Sequence, residues 1–142
     1  MANEAVTLTL SGYPDGVPIR FACAEGTGIE KGTLLVLSGA NRVAATEALD
    51  VNLPFAGIAA TEYAVDTAVS GAGTIGVYTQ GTFDLVADSA GTVPTAGALC
   101  VISGANTIAI AADGDYEKGM IVGKALELGV QGSAGAVALG IY

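Results

Sequence analysis

Apolar side chains recur at every second position through most of this chain, and a two-residue period restricts it to strands with one buried face. Val6, Leu8 and Leu10 fall on one side of the first run, with Thr7 and Thr9 on the other. A turn cluster at 11–16 (SGYPDG) follows, after which Val17, Ile19, Phe21 and Cys23 alternate again. The run Thr33-Leu34-Leu35-Val36-Leu37 is apolar on both faces, as in a strand covered on both sides. Further strands are predicted at 42–45, 55–61, 74–80, 82–87, 98–103, 107–111, 120–128 and 136–142. Residues 117–128 are long enough for a short helix. Gly119 and Gly123 weaken a helix there, and Ile121-Val122 favours a strand.

The sequence also echoes itself. Residues 32–45 (GTLLVLSGANRVAA) align with 97–110 (GALCVISGANTIAI), and 55–59 (FAGIA) align with 121–125 (IVGKA) at nearly the same offset. In each copy Gly-Ala-Asn lies between two strand-like runs, where Gly and Asn supply the positive φ values of a hairpin turn. Two copies are too few for a solenoid. The expected architecture is all-β: a small β-barrel or β-sandwich with two related halves and an extended N-terminal segment. Residues 17–142 are expected to form a single β domain. Residues 1–16 are either its first strand or an arm that adds a strand to a neighbour's sheet edge.

With 142 residues the chain has room for one domain and a real core. Its 51% hydrophobic and 13% charged content excludes a disordered polymer. The most apolar stretch, 97–112, is interrupted by Ser103-Gly104 and Asn106 and is shorter than the ~20 residues of a spanning helix. Glu4 and Asp15 precede the first basic residue, Arg20, which does not fit a secretory leader. A soluble protein made in the cytoplasm is expected, with no membrane partner. Its apolar surplus is then available for subunit interfaces, so a homo-oligomer is expected.

The net charge is −9, and the basic residues Arg20, Lys31, Arg42, Lys118 and Lys124 are scattered, so no nucleic-acid partner is expected. Cys23 and Cys100 sit in apolar strand-like runs and read as reduced core residues, with a disulfide as the alternative. The chain contains no histidine, which removes Ser-His-Asp and Cys-His nucleophile systems and the usual general base near neutral pH. Residues 71–76 (GAGTIG) match GxGxxG, but they lead into a strand-like run, whereas a dinucleotide site needs a helix there. No P-loop occurs. Asp113, Asp115 and Glu117 offer hard oxygen ligands suited to calcium, yet the EF-hand pattern is missing and acidic hairpin tips are ordinary solvated surface. Asp66 and Asp84 are of the right type for an acid and base, but nothing in the sequence brings them together. No catalytic residue, metal ligand or cofactor is therefore assigned, and the chain is not expected to be an enzyme.

Several segments resemble the small capsid decoration (cement) proteins of tailed double-stranded DNA phages, in particular the group sometimes mislabelled as RecA-like phage recombinase. They are 32–36 (GTLLV), 54–59 (PFAGIA), 76–85 (GVYTQGTFDL), 96–99 (AGAL), 123–125 (GKA) and the hydrophobic run 136–142. The resemblance implies a structural virion protein, often a homotrimer, bound to the outer surface of the phage head and bridging major capsid protein subunits. A recombinase would need an ATP-binding P-loop, which this sequence lacks. If residues 1–16 are an arm, Asn3, Val6, Leu8, Leu10 and Tyr13 are the candidate capsid-binding residues. The competing expectation is an adhesive or glycan-binding β-module on a virion or cell surface. Such a module would draw on Tyr13, Tyr63, Tyr78, Tyr116 and Tyr142.

Overall fold

A computed structural model of the protein describes residues 3–9, 18–23, 28–38, 42–45, 53–64, 73–90 and 92–140. These residues form strands and turns with no helix, and 117–128 is a turn leading into a strand. Five strands close the first barrel: β2 (Ile19–Cys23), β3 (Leu34–Ser38), β4 (Arg42–Ala45), β5 (Phe55–Ala59) and β6 (Thr74–Tyr78), in the order β2-β4-β3-β5-β6. Five more close the second: β7 (Gly81–Ala87), β8 (Leu99–Gly104), β9 (Thr107–Ile110), β10 (Ile121–Ala125) and β11 (Ala134–Leu139). Their order, β7-β11-β10-β8-β9 with β9 returning to β7, is the same path. The chain is thus all-β, with two related halves.

The relation extends to individual pairs. In each barrel the first strand runs parallel to the third, Ala22 opposite Arg42 in one and Val86 opposite Thr107 in the other. Leu35 faces Ala45 as Cys100 faces Ile110, and Ile19 faces Val77 as Phe83 faces Val137. Even the bulge is copied, with Ala56 and Val122 each left out of the ladder. Gly57 and Gly123 occupy the same place beside it. A Cβ at Gly57 would lie 2.4 Å from the Tyr78 carbonyl oxygen, and one at Gly123 would lie 2.2 Å from that of Ala138. Only glycine allows the fourth and fifth strands to approach so closely.

Alternation decides what each strand buries. Cys23, Leu35, Val43, Ala59, Ile75 and Val77 point inward and fill the first barrel. The second is filled by Phe83, Leu85, Cys100, Ile102, Ile108, Val122, Ala125, Val137 and Leu139. That cluster also takes in Leu34, Val36 and Ile58, which lie on the outer wall of the first barrel. Burying each of these three side chains stabilises the fold by about 1.5–3 kcal/mol, so the second barrel's core is shared with the outer wall of the first, whose own interior forms a separate cluster.

Asn106, in the β8–β9 turn, adopts the left-handed φ of 54° that asparagine tolerates. Fully buried, its Oδ1 accepts the Leu34 N–H at 2.9 Å, tying the turn of one barrel to the wall of the other.

The N-terminal strand β1 (Val6–Thr9) pairs antiparallel with β7, placing Thr7 opposite Phe83 and Val6 opposite Asp84. Just before it, the Ala5 N–H donates to the Gly32 carbonyl, so this segment spans from the first barrel to the second.

Candidate interaction surface

Of the residues named above for partner binding, Asn3 is exposed with φ 65°, and Val6 is 59% exposed on β1. Leu8 belongs to the backbone of β1, while Leu10 and Tyr13 lie outside the described residues. The alternation of the first run placed Val6 on a buried face. Instead it projects to solvent, because β1 packs through its pairing with β7 and through Ala5, which contacts the shared core.

Large apolar side chains reach solvent at other points too. Leu126, Leu128 and Val130 are 51, 65 and 62% exposed within five residues of the β10–β11 connection. Ile19 and Leu37 are 51 and 37% exposed at one end of the first barrel. Sequence alternation assigned Ile19 to the same face as Cys23, and it does face inward. Nothing in a two-residue period shows that this end of the barrel is uncovered. Among the described residues, such exposed aliphatics are apolar surface available for contact.

Groups with reactive potential are held in structural roles. Cys23 and Cys100 are free thiols buried in the two barrels. Burial raises the pKa of the Cys23 thiol and pushes that of Cys100 up to about 11, where little thiolate exists near neutrality. The Asp115 carboxylate accepts the Ala112 N–H at 2.7 Å and shapes its own turn. Asp84 is half-buried on β7, and Asp66 lies outside the described residues. Among the described residues no three His, Cys, Asp or Glu side chains converge as metal ligands would, and no helix is long and apolar enough to cross a membrane.

A shallow cleft between Gly28–Glu30 and Glu62–Ala64 carries the carboxylates of Glu30 and Glu62 beside Tyr63. Tyr63 is half-buried and held in place: its hydroxyl accepts the Gly73 N–H at 3.1 Å and its ring lies against the Gly73 backbone. Tyr78 is half-buried against Phe83, with ring centroids 5.8 Å apart. Tyr116 is 64% exposed on the turn before β10. Tyr13 and Tyr142 lie outside the described residues. No family model matches this sequence, and comparison with curated proteins finds no relative.

Proposed function

We propose that this protein is a structural decoration subunit that binds the outer surface of a tailed-phage head and stabilises the shell by bridging major capsid protein subunits. The observation that carries this reading is where the resembling segments fall. Residues 32–36, 54–59, 76–85 and 123–125 lie on β3, β5, β6–β7 and β10, the strands that close the two barrels and join them. Residues 96–99 form the turn into β8, so the resemblance follows the strands and tight turns of the barrels.

The role is mechanical. A rigid pair of barrels presenting aliphatic side chains resists the opening of a seam it spans, and an interface of about 1,600 Å² in total is typical for specific attachment. A trimer engaging several subunits gains further through effective concentration. A net charge of −9 is repelled by packaged DNA and suits the outer face.

The test is attachment to heads that lack the protein, imaged by cryo-EM. Density on the outer shell and a higher temperature of head disruption are expected, and bare shells at saturating protein would refute the reading. Because β1 is a paired strand, deleting residues 1–16 would remove part of a sheet, so a point change is cleaner. Val6→Lys, which places an ammonium opposite Asp84 and not a second carboxylate, should weaken attachment while leaving the melting temperature nearly unchanged.

A second reading, a glycan-binding module, is favoured by the exposure of Tyr116 alone. Glycan-array signal that disappears in Tyr116→Ala would replace the capsid reading.

A further inference from the structure

One mouth of the second barrel is closed by the first. Phe83, Ile102, Val122 and Leu139 are at most 5% exposed and share a cluster with the outward-facing Leu34, Val36 and Ile58. The Tyr78–Phe83 ring contact and the Asn106–Leu34 hydrogen bond cross the same boundary. The common register identifies the counterparts of these mouth residues in the first barrel. Ile19 stands for Phe83, Leu37 for Ile102, Ala56 for Val122 and Thr79 for Leu139. Ile19 and Leu37 are exposed, and Ala56 and Thr79 are half-buried. Among the described residues, this mouth is open.

The closing wall has a counterpart as well. Leu34 and Val36 correspond to Leu99 and Val101, and Ile58 corresponds to Lys124. Val101 is buried in a small cluster with Met120 and Ile121, while Leu99 and Lys124 are half-buried and form the part of this wall open to a partner.

We propose that the wall of the second barrel closes the open mouth of the first barrel in another copy of the chain. The contact that joins the two halves internally would then repeat between chains. The second copy is the occupant because its complementary wall already exists, in the same register, on every chain. Such a contact is head-to-tail, so it grows until it closes into a ring, and three copies would set six barrels in one circle.

Two differences make it weaker than the internal contact. Lys124 replaces Ile58, and its methylene stem can lie along apolar surface only while its ammonium reaches water. The internal contact is also reinforced by the N-terminal segment, which presses Ala5 onto Gly32 and pairs β1 with Thr82–Asp84 of β7. Gly97, the counterpart of Gly32 with the same φ of 85°, has nothing within 4 Å of its Cβ position. Pro18, Ile19 and Arg20, the counterparts of Thr82, Phe83 and Asp84, are exposed. A reversible association follows. It requires no phage head and stands or falls apart from the capsid reading.

Sedimentation velocity across a concentration series tests this on the full chain. Concentration-dependent oligomers are expected, weakened at least roughly tenfold by Leu37→Asp and tightened roughly tenfold by Lys124→Ile. A monomer at high micromolar concentration, or oligomers indifferent to both changes, would overturn the proposal. Should Leu37→Asp fail to fold, thiol cross-linking decides. The double variant Leu37→Cys/Leu99→Cys should give a covalent ladder beyond the dimer, where either single variant stops at the dimer. A double variant that yields no product beyond the dimer would overturn the proposal.

Discussion

The two barrels follow one backbone path, yet their ends are finished by different means. At the end away from the shared core, Ile29 and Tyr63 bridge across the first barrel, with the Tyr63 N–H donating to the Ile29 carbonyl at 2.7 Å. The Tyr63 side chain then packs against the barrel core. In the second barrel the same bond is made by Gly129 to Pro94, also at 2.7 Å, but Gly129 brings no side chain. Gly135 stands where the first barrel has Ile75. An apolar gap lined by Leu85, Pro94, Ile108, Gly129, Gly135 and Val137 remains. At the opposite end the roles reverse: the second barrel is sealed by its neighbour's wall, and among the described residues nothing seals the first in that way. Duplication copies a backbone because hydrogen-bond ladders and close glycine contacts tolerate little change. End-facing side chains diverge because each end meets a different neighbour.

The sharpest way to break this comparison is to truncate one position in both barrels. Phe83→Ala should cost about 3–5 kcal/mol, whereas its counterpart Ile19→Ala should cost less than about 1 kcal/mol in the isolated chain. Urea denaturation of both variants would show it, and equal losses would mean that the two ends are equally covered.

Asn106→Ala comes next. It strands the buried Leu34 N–H and forces alanine into a left-handed turn, for an expected loss of about 1–3 kcal/mol. Asn106→Gly keeps the turn and isolates the cost of the hydrogen bond, and calorimetry of the pair separates the two effects.

A third effect depends on pH. The Cys100 thiol is raised from 9.0 to about 11, so the folded chain keeps its proton in a range where the unfolded chain has lost it. The stabilisation is fully present below pH 9 and is lost as pH rises toward 11, a span that sets a ceiling of about 3 kcal/mol. Cys100→Ala should flatten that slope, and an unchanged slope would assign it elsewhere. Cys23 contributes in the same direction through burial.

The smallest expected effect is a gain. A Cβ at Gly135 would meet only the Glu127 side chain, at 3.6 Å, which is ordinary contact. Gly135→Ala should therefore stabilise by about 0.5–1 kcal/mol, by restricting the unfolded chain and partly filling the gap. A lowered melting temperature would show that the gap is not open to a methyl group.

Much of the architecture is legible in the sequence. The two-residue period marked the strands to within a few residues, and the Ser-Gly-Ala-Asn repeat located the paired hairpins: β3 and β8 lie where residues 32–45 and 97–110 align. Asn106 does take the positive φ expected of that turn. The interaction surface was less legible. Val6 and Ile19 sit in clean alternations and are nevertheless exposed, because a period tells which way a side chain points and not what stands opposite it.

What the sequence determined by itself is therefore local and repetitive: strand positions, inward faces, turn chemistry, the lack of imidazole and the kinship of the halves. These follow from side-chain spacing and backbone preference within a few residues. Which wall closes which mouth, and that β1 leaves its own neighbourhood to pair with β7, were decided only by the tertiary structure. Contacts between residues as distant in the chain as Leu34 and Asn106 depend on the shape left over once each barrel has closed, and no short-range pattern encodes that shape.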